Sequence, residues 1–202
     1  MRLNPNNWLN RWFALFFISA SLGFLTYSIY HVITFVPNPD AIIIPMMQTA
    51  QMFYNFAPVS LVMTVFVLEK YEKIAMSPKY LGTMLVLFII MCVGYFILIP
   101  EVNLSVYPGI VDTITNKYLF IFVNLIRIAL FIYVVYRYAM VVKKVEKETK
   151  KRIQWFFMGV TIIAIGVFVN LIGGLIGNIL FEILALIILD IGMGSIVKGF
   201  FV

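Results

Sequence analysis

Three side chains place charge inside otherwise apolar stretches: Arg127, Glu182 and Asp190. A charge among lipid tails is costly, so such residues face a protein interior or a water-filled cavity and mark relays, pathways or ligand sites by default. Arg127 lies nine residues into its expected helix and Glu182 about four into its own, both counted from the same side. At a rise of about 1.5 Å per residue both fall in one half of the membrane, and an extended Arg side chain could cover the offset. The pair would either lock two helices or belong to a ligand site. Asp190 lies two turns beyond Glu182, nearly on the same face, near mid-membrane and without an evident cation at its depth. It calls for a retained proton, a water-filled cavity or a partner subunit.

Uncharged polar groups gather in the same half. Gln48, Gln51 and Asn55 occupy i, i+3 and i+7 of one expected helix, hence one face, and Tyr27 and His31 form an i,i+4 pair on another. Asn124 and Asn170 lie toward the corresponding ends of two more, and Pro58 should kink the helix that carries Gln48. Interhelical hydrogen bonding, worth about 0.6 kcal/mol per contact, accounts for such groups. The alternative is an outward-opening polar pocket built from Arg127, Glu182, Asp190, His31, Gln48, Gln51, Asn55, Asn124 and Asn170.

Other chemistries lack their residues. With one His and one Cys there is no bis-histidine haem site, His-rich metal cluster or dithiol couple. Neither a P-loop nor a dinucleotide glycine fingerprint is present, and no nucleophile motif accompanies His31. The reading is therefore non-enzymatic, with no metal and no cofactor.

The elements that carry these residues follow from composition. Of 202 residues 63% are apolar and 12% charged, and the mean hydropathy is +1.02. A soluble domain is about 45–50% apolar and about 25% charged, so a soluble enzyme, a disordered tail and a nucleic-acid-binding domain are all poor fits. No charge interrupts residues 12–39, 41–68, 80–100 or 153–181, and runs such as LFIIMCVGYFILIP lack the alternation of a membrane β-barrel. The expectation is an all-α polytopic membrane bundle, one domain over residues 1–202. Its spans are expected at about 12–36, 41–68, 79–100, 118–142, 153–172 and 178–198. Residues 153–197 would form a helix of about 67 Å, twice the bilayer core, so a break is placed at Gly173-Gly174 through Gly177-Asn178. Ser77 and Pro78 suit a helix start, and 101–118, with Pro108-Gly109, is read as the longest connection. Ser19-xxx-Gly23 is a weak dimer signal.

Charge orients the chain. Thirteen basic residues, from Arg2 and Arg11 to Lys198, fall on the face that holds both termini, against Lys117 alone on the other. The positive-inside rule places both termini in the cytoplasm of a multi-pass cell-membrane protein. Lys143, Lys144, Lys147, Lys150, Lys151 and Arg152 form the densest basic loop. It serves as a topology signal, or it contacts anionic lipid or a cytoplasmic partner. The pairs Glu146–Lys150 and Glu148–Arg152 would let the fourth helix continue beyond the membrane.

Two stretches carry a family likeness: MFYNFAPVSLVMTVFVLEKYEK at 52–73 and YRYAMVVKKVEKETKKRIQWFFMGVTIIAIG at 136–166. Over about a quarter of the chain the pattern resembles the multi-helix N-terminal sensor modules of seven-helix membrane histidine kinases. The chain differs in its six expected spans and carries no kinase sequence up to Val202. The resemblance implies sensing or signalling and transfers no catalytic residue. The expected function is thus a sensing or ligand-binding membrane module. The alternatives are a subunit or anchor of a larger membrane complex and, third, a small-solute transporter component. Expected partners are the lipid bilayer and other membrane subunits or a second copy, not nucleic acid.

Overall fold

Lipid offers peptide groups no hydrogen-bond partner, so long apolar stretches satisfy their own as helices. A computed structural model of the chain describes residues 7–33, 38–107, 110–143 and 147–201. Six of its helices are long and apolar enough to cross a membrane, the architecture of a multi-pass membrane protein. Arg2, Val36, Pro37, the Pro108-Gly109 pair, Lys144 and Glu146 lie outside the described residues. The chain divides into two compact units, residues 1–120 and 121–202.

In the first unit, α1 (Trp8–Val32) and α2 (Pro39–Lys70) lead to a short α3 (Glu72–Ala75) and to α4 (Thr83–Ile97), which follows a π-helical turn at Pro78–Gly82. Pro78 occupies the first helical position as expected, but the Ser77 side chain makes no cap; its backbone carbonyl accepts from Tyr80 and Leu81 instead. α2 is the axis of this unit: Ala57 through Val65 are buried without interruption, so neighbours enclose it on every side. It runs through Pro45 and Pro58 as one helix. Near each proline a hydroxyl bonds a carbonyl, Thr49 to Pro45 and Ser60 to Phe56, as is common where a spanning helix tolerates proline. Where α1 crosses α2, a Cβ on Gly23 would stand 2.9 Å from the Tyr54 ring. Ser19 and Gly23 are buried there, so the spacing read as a dimer signal serves packing within the chain.

The segment 101–118 is more than a connection. β1 (Glu101–Tyr107) and β2 (Ile110–Ile114) pair antiparallel, with Val102 opposite Thr113, Asn103 opposite Asp112 and an irregularity before Tyr107. The hairpin adds a small sheet that an all-α expectation lacked, and it packs on α1 and α2. Asn116 then caps α5 (Lys117–Val142), its side chain accepting from Tyr118 and Leu119 at 3.0 and 3.3 Å.

The second unit holds most of α5, with α6 (Lys147–Ile176) and α7 (Ile179–Phe201). The expected continuation past the membrane belongs to α6, which starts back at Lys147, while α5 ends at Val142. The break in 153–197 is also narrower than expected. Gly173 and Gly174 are helical; the chain turns at Gly177, whose φ of +63° is the left-handed conformation that glycine adopts without penalty. The Asn178 N–H bonds back to the Gly173 carbonyl at 3.1 Å, closing α6, and the Asn178 side chain accepts from Leu180 at 3.0 Å, opening α7.

Gly173 stays helical because α7 lies against it. A Cβ there would meet Phe181 Cβ at 2.9 Å; one on Gly166 would meet Leu189 at 3.0 Å. One on Gly159 would stand 2.7 Å from the Gly192 carbonyl oxygen, and Gly199 lies on the Arg152 carbonyl. These glycines, seven residues apart on each helix, form one seam along an antiparallel pair. Lipid is as apolar as leucine, so helices in it associate by such close packing rather than by a hydrophobic drive.

The seam predicts a contrast that helix propensity alone reverses. Gly159→Ala should lower stability by about 1–3 kcal/mol through overpacking against backbone. Gly194→Ala, where a Cβ meets nothing within 4 Å, should raise it by up to about 1 kcal/mol. Thermal unfolding of the detergent-extracted variants measures both.

Candidate functional site

The nine expected pocket residues divide between the two units. In the first, the α2 face carrying Gln48, Gln51 and Asn55 is turned inward. Gln48 donates from Nε2 to the Tyr95 carbonyl at 2.9 Å, and Asn55, fully buried, donates from Nδ2 to Cys92 Sγ at 3.6 Å. These side chains tie α2 to α4. That matches the interhelical account of the polar face better than a pocket, and it gives the buried Cys92 a partner. Gln51, on the same face, is half-buried.

His31 sits in a different setting. Its ring lies 4.0 Å from that of Tyr27 and 4.3 Å from that of Tyr30, and its Nδ1 is 2.8 Å from the Tyr27 carbonyl. The Tyr27 ring in turn meets Tyr54 at 6.3 Å, and Tyr54 meets Phe24 edge-on at 5.7 Å. The β-hairpin closes this cluster. Tyr30, almost wholly buried, shares a side-chain hydrogen bond with Thr113, and Asp112 stands within electrostatic reach of both Tyr30 and His31. An imidazole, a carboxylate and several aromatic faces thus meet at the end of the unit opposite Arg11, Lys70, Lys73 and Lys79. Such a set can exchange protons or hold a small cationic or hydrogen-bonding solute.

The Tyr27–His31 spacing pointed to this place, whereas Tyr30, Tyr54, Asp112 and Thr113 went unread. The signal was there: Pro108-Gly109 separates EVNLSVY, where Val102, Leu104 and Val106 alternate with other residues, from IVDTIT, rich in Val, Ile and Thr, the pattern of a hairpin.

In the second unit, Arg127 is 7% exposed and lies on the buried face of α5 with Val123, Leu130, Val134 and Tyr138. It donates from Nη1 to the buried Asn124 Oδ1 at 3.4 Å. Glu182 and Asn170 are half-buried, and Glu182 packs over Gly173 in the first turn of α7. Asp190 differs from Glu182 despite the expected common face: it is exposed, because the seam turns Gly192, Ile188 and Leu189 toward α6 and leaves Asp190 outside. Among the described residues no three His, Cys, Asp or Glu side chains gather as a metal site would require.

Known proteins give no shortcut. No protein-family model, curated protein or solved structure matches the chain.

Of the basic loop, Lys143, Lys150 and Lys151 are exposed and Arg152 is half-buried; Lys147 starts α6. In the same unit Lys198 Nζ stands 4.1 Å over the Trp155 ring; within the first unit, Arg11 stands 4.8 Å over the Trp8 ring. Cations stacked on aromatic rings at helix ends suit a membrane interface.

The cluster predicts that Tyr30→Phe, which deletes only the hydroxyl shared with Thr113, frees the hairpin locally. Amide exchange at residues 110–114 should quicken roughly fivefold, in keeping with about 1 kcal/mol for one hydrogen bond, while residues 57–65 of α2 keep their protection. Hydrogen-exchange mass spectrometry reads both segments at once.

Proposed function

We propose that the chain is a sensing module of the cell membrane, with both termini cytoplasmic and its input at the hairpin-capped cluster of Tyr27, Tyr30, His31, Tyr54, Asp112 and Thr113. The observation that carries this reading is the side-chain hydrogen bond between Tyr30 and Thr113, with the His31 ring 4.3 Å from that of Tyr30. It joins an extramembrane hairpin to a titratable group on a spanning helix. A solute or proton that alters the cluster moves the hairpin against α1 and α2, and α2 runs from there to the basic end. Gln48 and Asn55 couple the movement to α4 on the way. At the basic end of the first unit, α3 and its flanks offer Lys70, Lys73 and Lys79 to a cytoplasmic partner or to anionic lipid; in the second unit, taken by itself, Lys143, Lys150, Lys151 and Arg152 offer another such surface. The one-sided distribution of these cations supports the cytoplasmic assignment of that end.

Orientation is testable with a membrane-impermeant thiol reagent. Ile114→Cys on β2 should label in intact cells, and Ile74→Cys on α3 only after permeabilisation; the reverse pattern rejects the assignment. Coupling is testable in the full chain carrying a fluorophore at Ile74→Cys in lipid nanodiscs. Asp112→Asn and His31→Gln should each shift its emission, while an exposed substitution off the path, Ile165→Val, should not. A reporter indifferent to both cluster variants sinks the sensing reading.

A further inference from the structure

α7 has two unlike faces. One carries Gly192, Ile196 and Gly199 into the seam with α6. The other is a continuous exposed stripe of Leu180, Ile183, Ile187, Asp190, Ile191 and Gly194. Asp190 is eleven residues from each end of α7, so at about 1.5 Å per residue it lies about 16 Å from either end, at the centre of a bilayer core about 30 Å thick. The Asp side chain is too short to reach water from there, unlike a long Lys or Arg that snorkels. A lone carboxylate at this depth is costly wherever lipid alone surrounds it, and such groups pair with an opposite charge. One turn along, Gly194 leaves open space where a Cβ would meet nothing within 4 Å. That notch lets the backbone of another helix approach closely beside the charge.

We propose that this face of α7 receives a transmembrane helix of a different protein, one carrying Lys or Arg at mid-span opposite Asp190. A second copy of the chain fits poorly. Stacked in parallel, it brings a second Asp190 to the same depth. Among the described residues its basic side chain nearest mid-span is Arg127, which its own chain buries to 7% exposure; Arg137 lies five residues from the end of α5, nearer the membrane edge. A Lys or Arg helix supplies the missing charge, and Ile187 and Ile191 supply apolar packing above and below it. The inference goes beyond the sensing reading and does not depend on it.

The test co-expresses the full chain in bacterial membranes with a single-span polyleucine helix bearing one central Lys, and measures association by energy transfer between fluorescent tags. The Lys helix should associate at least about tenfold more strongly than its all-Leu parent, a difference of about 1.4 kcal/mol. Asp190→Leu should reduce it to the level of that parent, and Asp190→Glu should retain it. Since leucine is at home in lipid, unchanged thermal unfolding of Asp190→Leu separates loss of pairing from loss of fold. Equal association of the Lys helix with wild type and Asp190→Leu overturns the proposal. So does a wild-type chain that ignores the Lys helix because residues 1–120 of the same chain, or a second copy, already cover the face.

Discussion

The close approach of two backbones at Gly159 and Gly192 is the constraint on which the second unit turns. In water, helices meet because apolar side chains leave the solvent; in lipid that drive is absent. What remains is contact, and contact is greatest where nothing stands between the main chains. A Cβ at either glycine would stand 3.0 Å or less from the facing carbonyl oxygen, so the seam admits no side chain at these points. The rest follows from its rotation. Ile188, Leu189 and Ile196 are brought to α6, and whatever lies on the other side of α7 is left outside, Asp190 included.

The first unit solves the same problem with a buried axis. α2 is enclosed along Ala57–Val65 and is bound to α4 through side chains, Gln48 to a carbonyl and Asn55 to a thiol. Polar groups in a spanning helix are thus spent on alignment here, and their presence alone does not make a pocket. The place where polar chemistry collects instead is the rim, where the hairpin brings Asp112 and Thr113 down on Tyr30 and His31.

Which parts of this were legible in the sequence follows from the kind of physics involved. Six apolar runs and a one-sided charge distribution are properties of single segments, so composition and length suffice to find them. The residues on either side of Pro108-Gly109 form a hairpin through pairing with each other, and a search for long apolar runs passes over them. Gly173 looked like a helix breaker because a glycine pair is ambiguous between a turn and a contact; only the presence of α7 against it decides for contact. The seven-residue spacing of Gly159, Gly166 and Gly173 was visible but carried no meaning until Gly192 and Gly199 faced it. Asp190 was singled out by its charge, whereas its exposure depends on how far α7 is rotated about its own axis.

The turn at Gly177 and Asn178 has a consequence for how the protein is made. Two residues between α6 and α7 leave no slack for the first helix to settle in the membrane while the second waits outside it. A turn this short suits entry of the two as a hairpin, with the seam formed within the pair. Biosynthetic insertion then weighs the pair as a whole, and the long apolar stretch of α6 carries Glu182 and Asp190 across with it. α7 is itself apolar enough to cross a membrane, and paired with α6 it brings the carboxylate at its middle into the bilayer before any partner needs to be present.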